Sequence, residues 1–263
     1  AGTGALGLQT AVETCRVLAD TAGCASSQVL PFSTGVIGVD LPLDPFVRAM
    51  PALLDGLAAD NWPAAAAAIM TTDTVPKLVS RRVELSQGSV TVTGIAKGAG
   101  MICPDMATML AYVATDAAVP RPLLQKALGK AVAPSFNSIT VDGDTSTNDA
   151  CVLMATGASG VTITDEQFDL FAEAVTDVCM ELARAIVRDQ LELIRLRNTS
   201  PAFDGEIELR DCEPQQLIIA WKHPQEVLTL EADLHDHTYS IYRERNDARE
   251  LLLSPSSPAA ATA

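Results

Sequence analysis

The sequence predicts an α+β fold, with a layered α/β core followed by a helix and a small antiparallel β domain. Three observations predict it. Apolar residues recur at helical intervals in several segments, alternating apolar segments flank a Gln-Gly pair, and short strand-like segments dominate after residue 190. With 263 residues and 48% hydrophobic composition, the chain can bury a large core.

Helical and strand-like segments alternate in the first hundred residues. Apolar residues recur at helical intervals over residues 6–22, and a glycine follows that can end the helix. Residues 28–38 predict two strands about a Thr-Gly turn, and the next helix begins at Pro42 and reaches about residue 57. Residues 77–97 contain two alternating strands around a Gln-Gly pair, which predicts a hairpin of the core sheet.

Two further helices follow the hairpin. The first begins at Pro120 and reaches about residue 131, and residues 138–141 are typical of a strand end. Thr164 begins a long helix that reaches about Arg188, with acidic residues in its first turn. These elements predict that residues 1–189 form one α+β domain.

The character of the chain changes near residue 190, where we expect a domain boundary. A helix over 191–198 precedes four short strands, which predict a small β domain of residues 190–253. These strands are expected at residues 206–209, 217–221, 227–231 and 238–242. Residues 254–263 are small and Pro-rich, and predict a disordered tail.

Composition excludes several classes of partner. The chain has 18 Lys plus Arg against 33 Asp plus Glu, a net charge of −15 that repels phosphate backbones and acidic lipids, so we expect neither nucleic acid nor membrane partners. The six cysteines form no Cys-x-x-Cys pair, which favours a reducing, cytoplasmic setting. The first residues lack a basic and an apolar region, so we expect no signal peptide and a start within a longer protein.

Small and polar residues concentrate in four stretches that carry the chemistry. One of them is a strand that runs into small residues, which leave room for a close approach of another group. The stretches are Ser33–Gly38, Met70–Lys77, Lys97–Met101 with Met106–Leu110, and Ser135–Asp149. Through them, residues 1–189 resemble the ornithine acetyltransferase family, the bifunctional glutamate N-acetyltransferases, so the layered core is expected to be that of an acetyltransferase.

The resemblance implies a self-cleaving acyltransferase of arginine biosynthesis with Thr108 as its nucleophile. The precursor would be cut between Ala107 and Thr108, and an acetyl group would move from N-acetylornithine to glutamate through acetyl-Thr108. A threonine hydroxyl needs a base beside it, and the freed α-amino group, with a reference pKa of about 7.7 to 8, can serve. The family implies no cofactor and an assembly of the cleaved chains.

The resemblance also implies roles for four further residues. Thr34 and Gly35 correspond to the oxyanion hole, where each donor contributes about 2.7 to 4 kcal/mol. Thr71, Lys97 and Thr108 itself correspond to substrate contacts, and the Lys97 ammonium could pair with a substrate carboxylate.

Structural alternatives exist for four of these residues. Thr108 follows Pro104 and Asp105 and could instead start a helix, Thr34 and Gly35 could form a plain turn, and Lys97 could be a solvated strand-end lysine.

Two acidic segments invite a metal interpretation that we do not favour. The first contains Asp142, Asp144 and Asp149 but no closing Glu, so a polar turn is expected instead of a calcium loop. The second holds Asp233, His235, Asp236 and His237, where a solvated turn is expected. The sequence therefore predicts no metal site.

The resemblance to the acetyltransferases ends near residue 190. The family continues with a segment whose glutamate contacts substrate, whereas this chain continues with Gln190-Leu-Glu-Leu, so no role is carried over to Glu192. Residues 190–253 resemble instead the terminal region of sucrose-phosphorylase-type glycoside enzymes, without the carboxylates of their barrel. This junction predicts a chimera, and the alternative function is a catalytically silent scaffold in which both active sites are incomplete.

Overall fold

The computed structural model describes residues 2–36, 38–71, 73, 75–98, 109–139, 148–233, 235, 238–246 and 248–254, without the side chains of Asp189, Gln190 and Thr238. The fold is α+β, as predicted, and the chain divides into two compact units, residues 1–187 and 188–263. No helix in the described part of the chain is long and apolar enough to cross a membrane.

Among the described residues, five α-helices and four strands belong wholly or partly to the first unit. The helices are α1 (Gly4–Ala22), α2 (Asp44–Asp55), α3 (Trp62–Ala68), α4 (Arg121–Val132) and α5 (Phe168–Thr199), the last of which continues past the unit boundary. The strands are β1 (Lys77–Leu85), β2 (Gly88–Lys97), β3 (Leu110–Thr115) and β4 (Ala150–Ala155). Short 3₁₀ helices cover Ser26–Gln28 and Phe136–Ser138.

The first sheet has the strand order β1-β2-β3-β4. β2 is antiparallel to both β1 and β3, whereas β3 and β4 are parallel. Lys77 pairs with Ala96, Lys97 with Leu110, and Leu110 with Ala150. The start of β1, the end of β2 and the starts of β3 and β4 therefore lie at one end of the sheet.

One hydrophobic core joins this sheet to α4 and α5. Apolar side chains from alternate strand positions and from one face of each helix form a single buried cluster. Each fully buried Val, Leu, Ile, Phe or Met side chain contributes roughly 1.5 to 3 kcal/mol. Its members include Val83, Val90, Val92, Val113 and Leu153 of the sheet, Ala127 and Ala131 of α4, and Phe171, Val175, Val178 and Leu182 of α5.

Gly94 of β2 marks the closest approach of the sheet to α5. An added Cβ would lie 2.9 Å from both Leu182 Cδ1 and Val178 Cγ1, two side chains that are fully buried. Gly94→Ala is therefore expected to lower the free energy of unfolding by about 1 to 3 kcal/mol, because the packed core cannot move away cheaply.

Urea unfolding measures this loss, followed by the fluorescence of Trp62 in a Trp221→Phe background so that the signal reports the first unit. The matched control is Gly129→Ala in α4, where an added Cβ meets no heavy atom within 4 Å. Since alanine favours a helix over glycine, this control is expected to gain up to about 1 kcal/mol. Equal free energies of unfolding of the two variants would contradict this prediction, because they would show that the side chains around Gly94 move to accept a methyl group.

The prediction of two strands within residues 28–38 is wrong. Residues 29–36 and 38–43 are irregular apart from a turn in which the Val39 N–H donates to Val36 O over 3.1 Å. A strand needs a neighbour for its backbone groups, and Pro31 lacks an N–H while Gly38 has a φ of 80°. Ser138, predicted as a strand end, lies instead in a 3₁₀ helix, and residues 140–141 lie outside the described residues.

The other predicted elements of this unit are confirmed within a few residues. The hairpin of β1 and β2, α1, α2 and α4 lie where their patterns indicate. The long helix begins at Phe168, four residues later than predicted, and continues without a break through residue 190. α3, β3 and β4 were not predicted, because they are short and lack a clear apolar period.

In its described part, the second unit has five antiparallel strands in sequential order: β5 (Glu206–Arg210), β6 (Gln216–His223), β7 (Glu226–Asp233), β8 (Thr238–Arg245) and β9 (Ala248–Leu253). Four were predicted, and β9 was missed. Leu196, Ala202, Leu228 and Ile241 form its buried core. The predicted disordered tail lies outside the described residues from 255 onward.

Candidate active site

Polar side chains gather where the four strands of the first sheet meet at one end. Lys77 is the first residue of β1 and Lys97 is the last residue of β2, and both are buried. Asp73 and Thr71 precede β1 in the loop that follows α3. The antiparallel hairpin explains this arrangement, because it returns the end of β2 to the start of β1.

Lys97 is the centre of this cluster. Its Nζ donates to Thr71 Oγ1 at 2.8 Å and, over a longer distance of 3.4 Å, to Thr34 Oγ1. Three of the residues assigned to the site by resemblance, Thr34, Thr71 and Lys97, thus come together from segments far apart in the sequence.

The chemistry of these contacts fixes the role of each hydroxyl. An ammonium group has three donors and no acceptor, so the hydroxyls of Thr34 and Thr71 must both accept from Lys97. Each hydroxyl then keeps its own proton for another acceptor. Such an arrangement suits a site where a negatively charged oxygen binds or develops.

The pKa of Lys97 lies below its ordinary value. Burial is the main cause, since it disfavours the charged ammonium. The charges of Asp73 and Asp149 act in the opposite direction and raise the pKa, whereas the like charge of Lys77 lowers it further. The side chain is 3% exposed, so the alternative of a solvated strand-end lysine is wrong.

Asp73 links the elements around Lys97. Its Oδ1 accepts from Lys77 Nζ at 2.6 Å and from the Gly98 N–H at 2.7 Å, and its Oδ2 accepts from the Thr71 N–H at 3.2 Å. These donors hold the pKa of the carboxyl below its ordinary value, even though burial acts to raise it. The loop before β1 is therefore tied to the first residue after β2.

Thr108 and Ala107 lie outside the described residues. The structure does describe Met109, the residue that follows Thr108. Met109 is buried, and its N–H donates to Asp149 Oδ1 at 2.8 Å. Its carbonyl accepts from the Ala150 N–H at 3.0 Å. The chain thus enters β3 beside Asp149, at the same end of the sheet as Lys97. The alternative of Thr108 as a helix-start residue falls on a position outside the described residues, and the described residues that follow it lead into the strand β3.

The segment that carries Thr34 and Gly35 is held on the sheet by an aromatic contact. Phe32 packs edge-on against Tyr112 of β3, with ring centroids 5.6 Å apart. An added Cβ at Gly35 would meet Leu41 Cδ2 at 3.9 Å, an ordinary contact, so packing against the described residues does not require a glycine there. A pocket beside this segment is lined by residues of α1 and by Phe32, Ser33, Asn148 and Asp149.

Only some of the residues considered as metal ligands lie in the described part of the chain. Asp142, Asp144, Asp236 and His237 lie outside the described residues. Asp233 Oδ1 accepts from the His235 N–H at 2.9 Å, which is a local turn contact. Within the described positions, no three metal-ligating side chains come together.

Asp73 and Lys77 are members of the site that were not predicted from the sequence. Both belong to the quoted stretch Met70–Lys77, but only Thr71 was given a role there. No pattern in the sequence indicates this pair, because the contacts of Asp73 depend on the return of β2 beside the start of β1. Glu192, which received no role, is exposed on α5.

Comparison with known proteins identifies relatives over the first part of the chain. A family model described as "ArgJ family" matches residues 1–191. The protein named "Arginine biosynthesis bifunctional protein ArgJ" from Pseudomonas syringae pv. tomato is 53% identical over 193 residues, covering 72% of this chain and 48% of the relative. Its namesake from Methylococcus capsulatus is 55% identical over 215 residues, covering 80% of this chain and 53% of the relative. The chain spans about half the length of these relatives.

Two solved structures show partial likeness. A crystal structure of Arginine biosynthesis bifunctional protein argJ from Bacillus halodurans has 44% sequence identity and a TM-score of 0.29, covering 30% of this chain and 38% of that one. A sucrose 6F-phosphate phosphorylase from Thermoanaerobacter thermosaccharolyticum has 20% identity and a TM-score of 0.24, covering 39% of this chain and 24% of that one. Superpositions this limited carry no argument, so the resemblance of residues 190–253 to glycoside enzymes stays a prediction.

Proposed function

The chain belongs to the ArgJ family, and from this premise we propose that it transfers an acetyl group from N-acetylornithine to glutamate through an acetyl-Thr108 intermediate. The observation that carries the proposal is the Lys97 ammonium, which joins Thr71 and Thr34 at the sheet end where β3 begins. The peptide link to Met109 keeps the Cα of Thr108 about 3.8 Å from that of a residue held at the same end.

Self-cleavage would create the catalytic base. The Thr108 hydroxyl attacks the carbonyl carbon of Ala107, the peptide C–N bond breaks, and water then hydrolyses the resulting ester. The products are a carboxylate on Ala107 and a free α-amino group on Thr108. A neutral amine at that position can accept the proton of the neighbouring hydroxyl, which the intact peptide nitrogen cannot do.

Transfer then proceeds in two half-reactions. The Thr108 Oγ attacks the acetyl carbonyl of N-acetylornithine while its proton passes to the α-amine, and ornithine leaves with that proton. The α-amine of glutamate attacks the acetyl ester next, which yields N-acetylglutamate and restores the Thr108 hydroxyl. In both steps, the Thr34 hydroxyl and the Gly35 N–H stabilise the oxyanion, and Lys97 with Thr71 binds a substrate carboxylate. No step requires a cofactor.

The two cleaved chains would remain associated. A cut before Thr108 places β2 in the first chain and β3 in the second, and these strands pair from Val92 with Thr115 to Lys97 with Leu110. Core residues of both chains, such as Val92 and Val113, belong to one buried cluster. Separation would expose this apolar surface to water.

The full chain should therefore divide into residues 1–107 and 108–263 and form N-acetylglutamate. Denaturing mass spectrometry is expected to find two chains, whereas native mass spectrometry finds their sum. Incubation of the purified protein with N-acetylornithine and glutamate is expected to yield N-acetylglutamate, with each substrate alone as the control. An intact single chain without product after long incubation would contradict the proposal and would favour the silent scaffold.

A further inference from the structure

Asp73 is a buried carboxylate to which neither the family resemblance nor the proposed reaction assigns a role. It is 8% exposed and accepts three hydrogen bonds, from Lys77 Nζ, the Gly98 N–H and the Thr71 N–H. Each of the three donors belongs to a residue that is tied to the Lys97 cluster in a different way. Thr71 itself contacts Lys97, Gly98 directly follows Lys97, and Lys77 is the second buried lysine of the cluster.

We propose that Asp73 is the positioning residue for Lys97: it fixes the backbone on both sides of the Lys97–Thr71 contact and balances the charge of two buried lysines, so that Lys97 acts as an ammonium donor. The part of this inference that concerns acetyl transfer rests on the proposed function. The part that concerns the state of Lys97 does not.

Asp73 holds two backbone N–H groups, one on each side of the Lys97–Thr71 contact. Both oxygens of Asp73 are used, one toward Gly98 and one toward Thr71, with donor distances of 2.7 and 3.2 Å. Asp73 therefore fixes the backbone at Thr71 and immediately after Lys97, in addition to the side-chain contact between Lys97 and Thr71. Small displacements of such groups are costly, because a shift of about 1 Å can reduce a rate by about a hundredfold.

Asp73 also supplies negative charge beside two buried lysines. Lys77 and Lys97 are 4% and 3% exposed, and two ammonium groups cannot both stay charged in such surroundings without partners. Asp73 forms an ion pair with Lys77 and also raises the pKa of Lys97. Asp149, from the residues before β4, is the second acid that raises the pKa of Lys97, and Lys77 from β1 opposes both.

Removal of the Asp73 charge should therefore move the titration of Lys97 to lower pH. The test is Asp73→Asn, which keeps the size and a carbonyl oxygen for the Gly98 N–H but carries no charge. The chain has only five lysines, so ¹³C-lysine NMR can follow each Cε signal through a pH titration, and Lys97→Arg assigns the signal of interest. The midpoint of Lys97 is expected to fall relative to the parent protein. An unchanged midpoint overturns the proposal.

A second pair of variants keeps the test valid if Asp73→Asn does not fold. Lys77→Met is compared with the double variant Asp73→Asn/Lys77→Met, in which no unpaired carboxylate remains from the ion pair. The midpoint of Lys97 is expected at lower pH in the double variant than in Lys77→Met. Equal midpoints in Lys77→Met and the double variant overturn the proposal.

Acetyl-transfer kinetics separate this inference from the proposed function. Asp73→Asn is expected to lower kcat at pH 7 by at least about tenfold and to shift the alkaline limb of the pH–rate profile to lower pH, as Lys97 loses its proton earlier. The matched control is Asp169→Asn, which removes an exposed carboxylate that pairs with Lys130. A lowered Lys97 midpoint in a protein without transferase activity would support the positioning role and contradict the proposed function. Acetyl transfer by Asp73→Asn with an unshifted Lys97 midpoint and an unshifted pH–rate profile would support the proposed function and contradict the positioning role.

Discussion

Thr108→Ala is expected to remain a single uncut chain and to lose acetyl transfer by about 10⁴-fold or more. In the proposed mechanism this hydroxyl both attacks the Ala107 carbonyl and carries the acetyl group, and removal of a nucleophile is among the largest single losses in enzymes. Because the chain remains uncut, the free α-amino group is also missing, so base and nucleophile are lost together. Denaturing mass spectrometry and the N-acetylglutamate assay measure the two losses.

Thr108→Ser tests the role of the hydroxyl directly, since it keeps the nucleophile and removes only a methyl group. It is expected to be cut and to retain activity. The matched control is Thr21→Ala on α1, an exposed threonine whose hydroxyl donates to the Val17 carbonyl within the same helix. Cleavage of Thr108→Ala at the same bond, or undiminished transfer by it, would show that another group is the nucleophile.

Lys97→Met is expected to lower acetyl transfer by at least about a hundredfold, a loss of about 2.7 kcal/mol in transition-state stabilisation. The buried ammonium orients the hydroxyls of Thr34 and Thr71, and methionine fills a similar volume without a donor. The loss should fall mainly on kcat if the orientation of Thr34 dominates, and mainly on KM if the ammonium chiefly binds a substrate carboxylate. Steady-state kinetics with varied N-acetylornithine distinguish the two.

The stability of Lys97→Met is expected to stay within about 1 kcal/mol of the parent, because methionine removes the cost of burying an ammonium group, which offsets the hydrogen bonds that Thr34 and Thr71 lose. Asp73 keeps its ion pair with Lys77 in this variant. Lys130→Met is the matched control, since Lys130 is half exposed and pairs with Asp169 at the surface, where an ion pair contributes little. A large loss of stability in Lys97→Met would mean that the lysine serves the fold more than the reaction.

Much of the fold could be predicted from local patterns. The helical period of residues 6–22 and the alternating strands on either side of Gln87-Gly88 are properties of short segments, and both predictions are confirmed. β3 and β4 could not be predicted in this way, because they are strands only through pairing with each other and with β2. Residues 28–38 are the opposite case, with strand-like composition but no partner strand in the described chain.

The candidate site was predicted in part for a similar reason. Motif resemblance identifies Thr34, Thr71 and Lys97 one by one, and the structure brings them within hydrogen-bond distance. Asp73 was missed because its role depends on the Gly98 N–H, 25 residues away, which no spacing rule connects to it.

The sequence by itself determined the residue types, the local periods and the family to which residues 1–191 belong. Only the tertiary structure decided which charges are buried and which backbone groups meet. The antiparallel turn of the hairpin and the parallel pairing of β3 with β4 bring Lys77, Lys97, Leu110 and Ala150 to one end of a sheet. Burial there changes a lysine from a solvated surface charge into a shared donor, because water no longer competes for its hydrogen bonds.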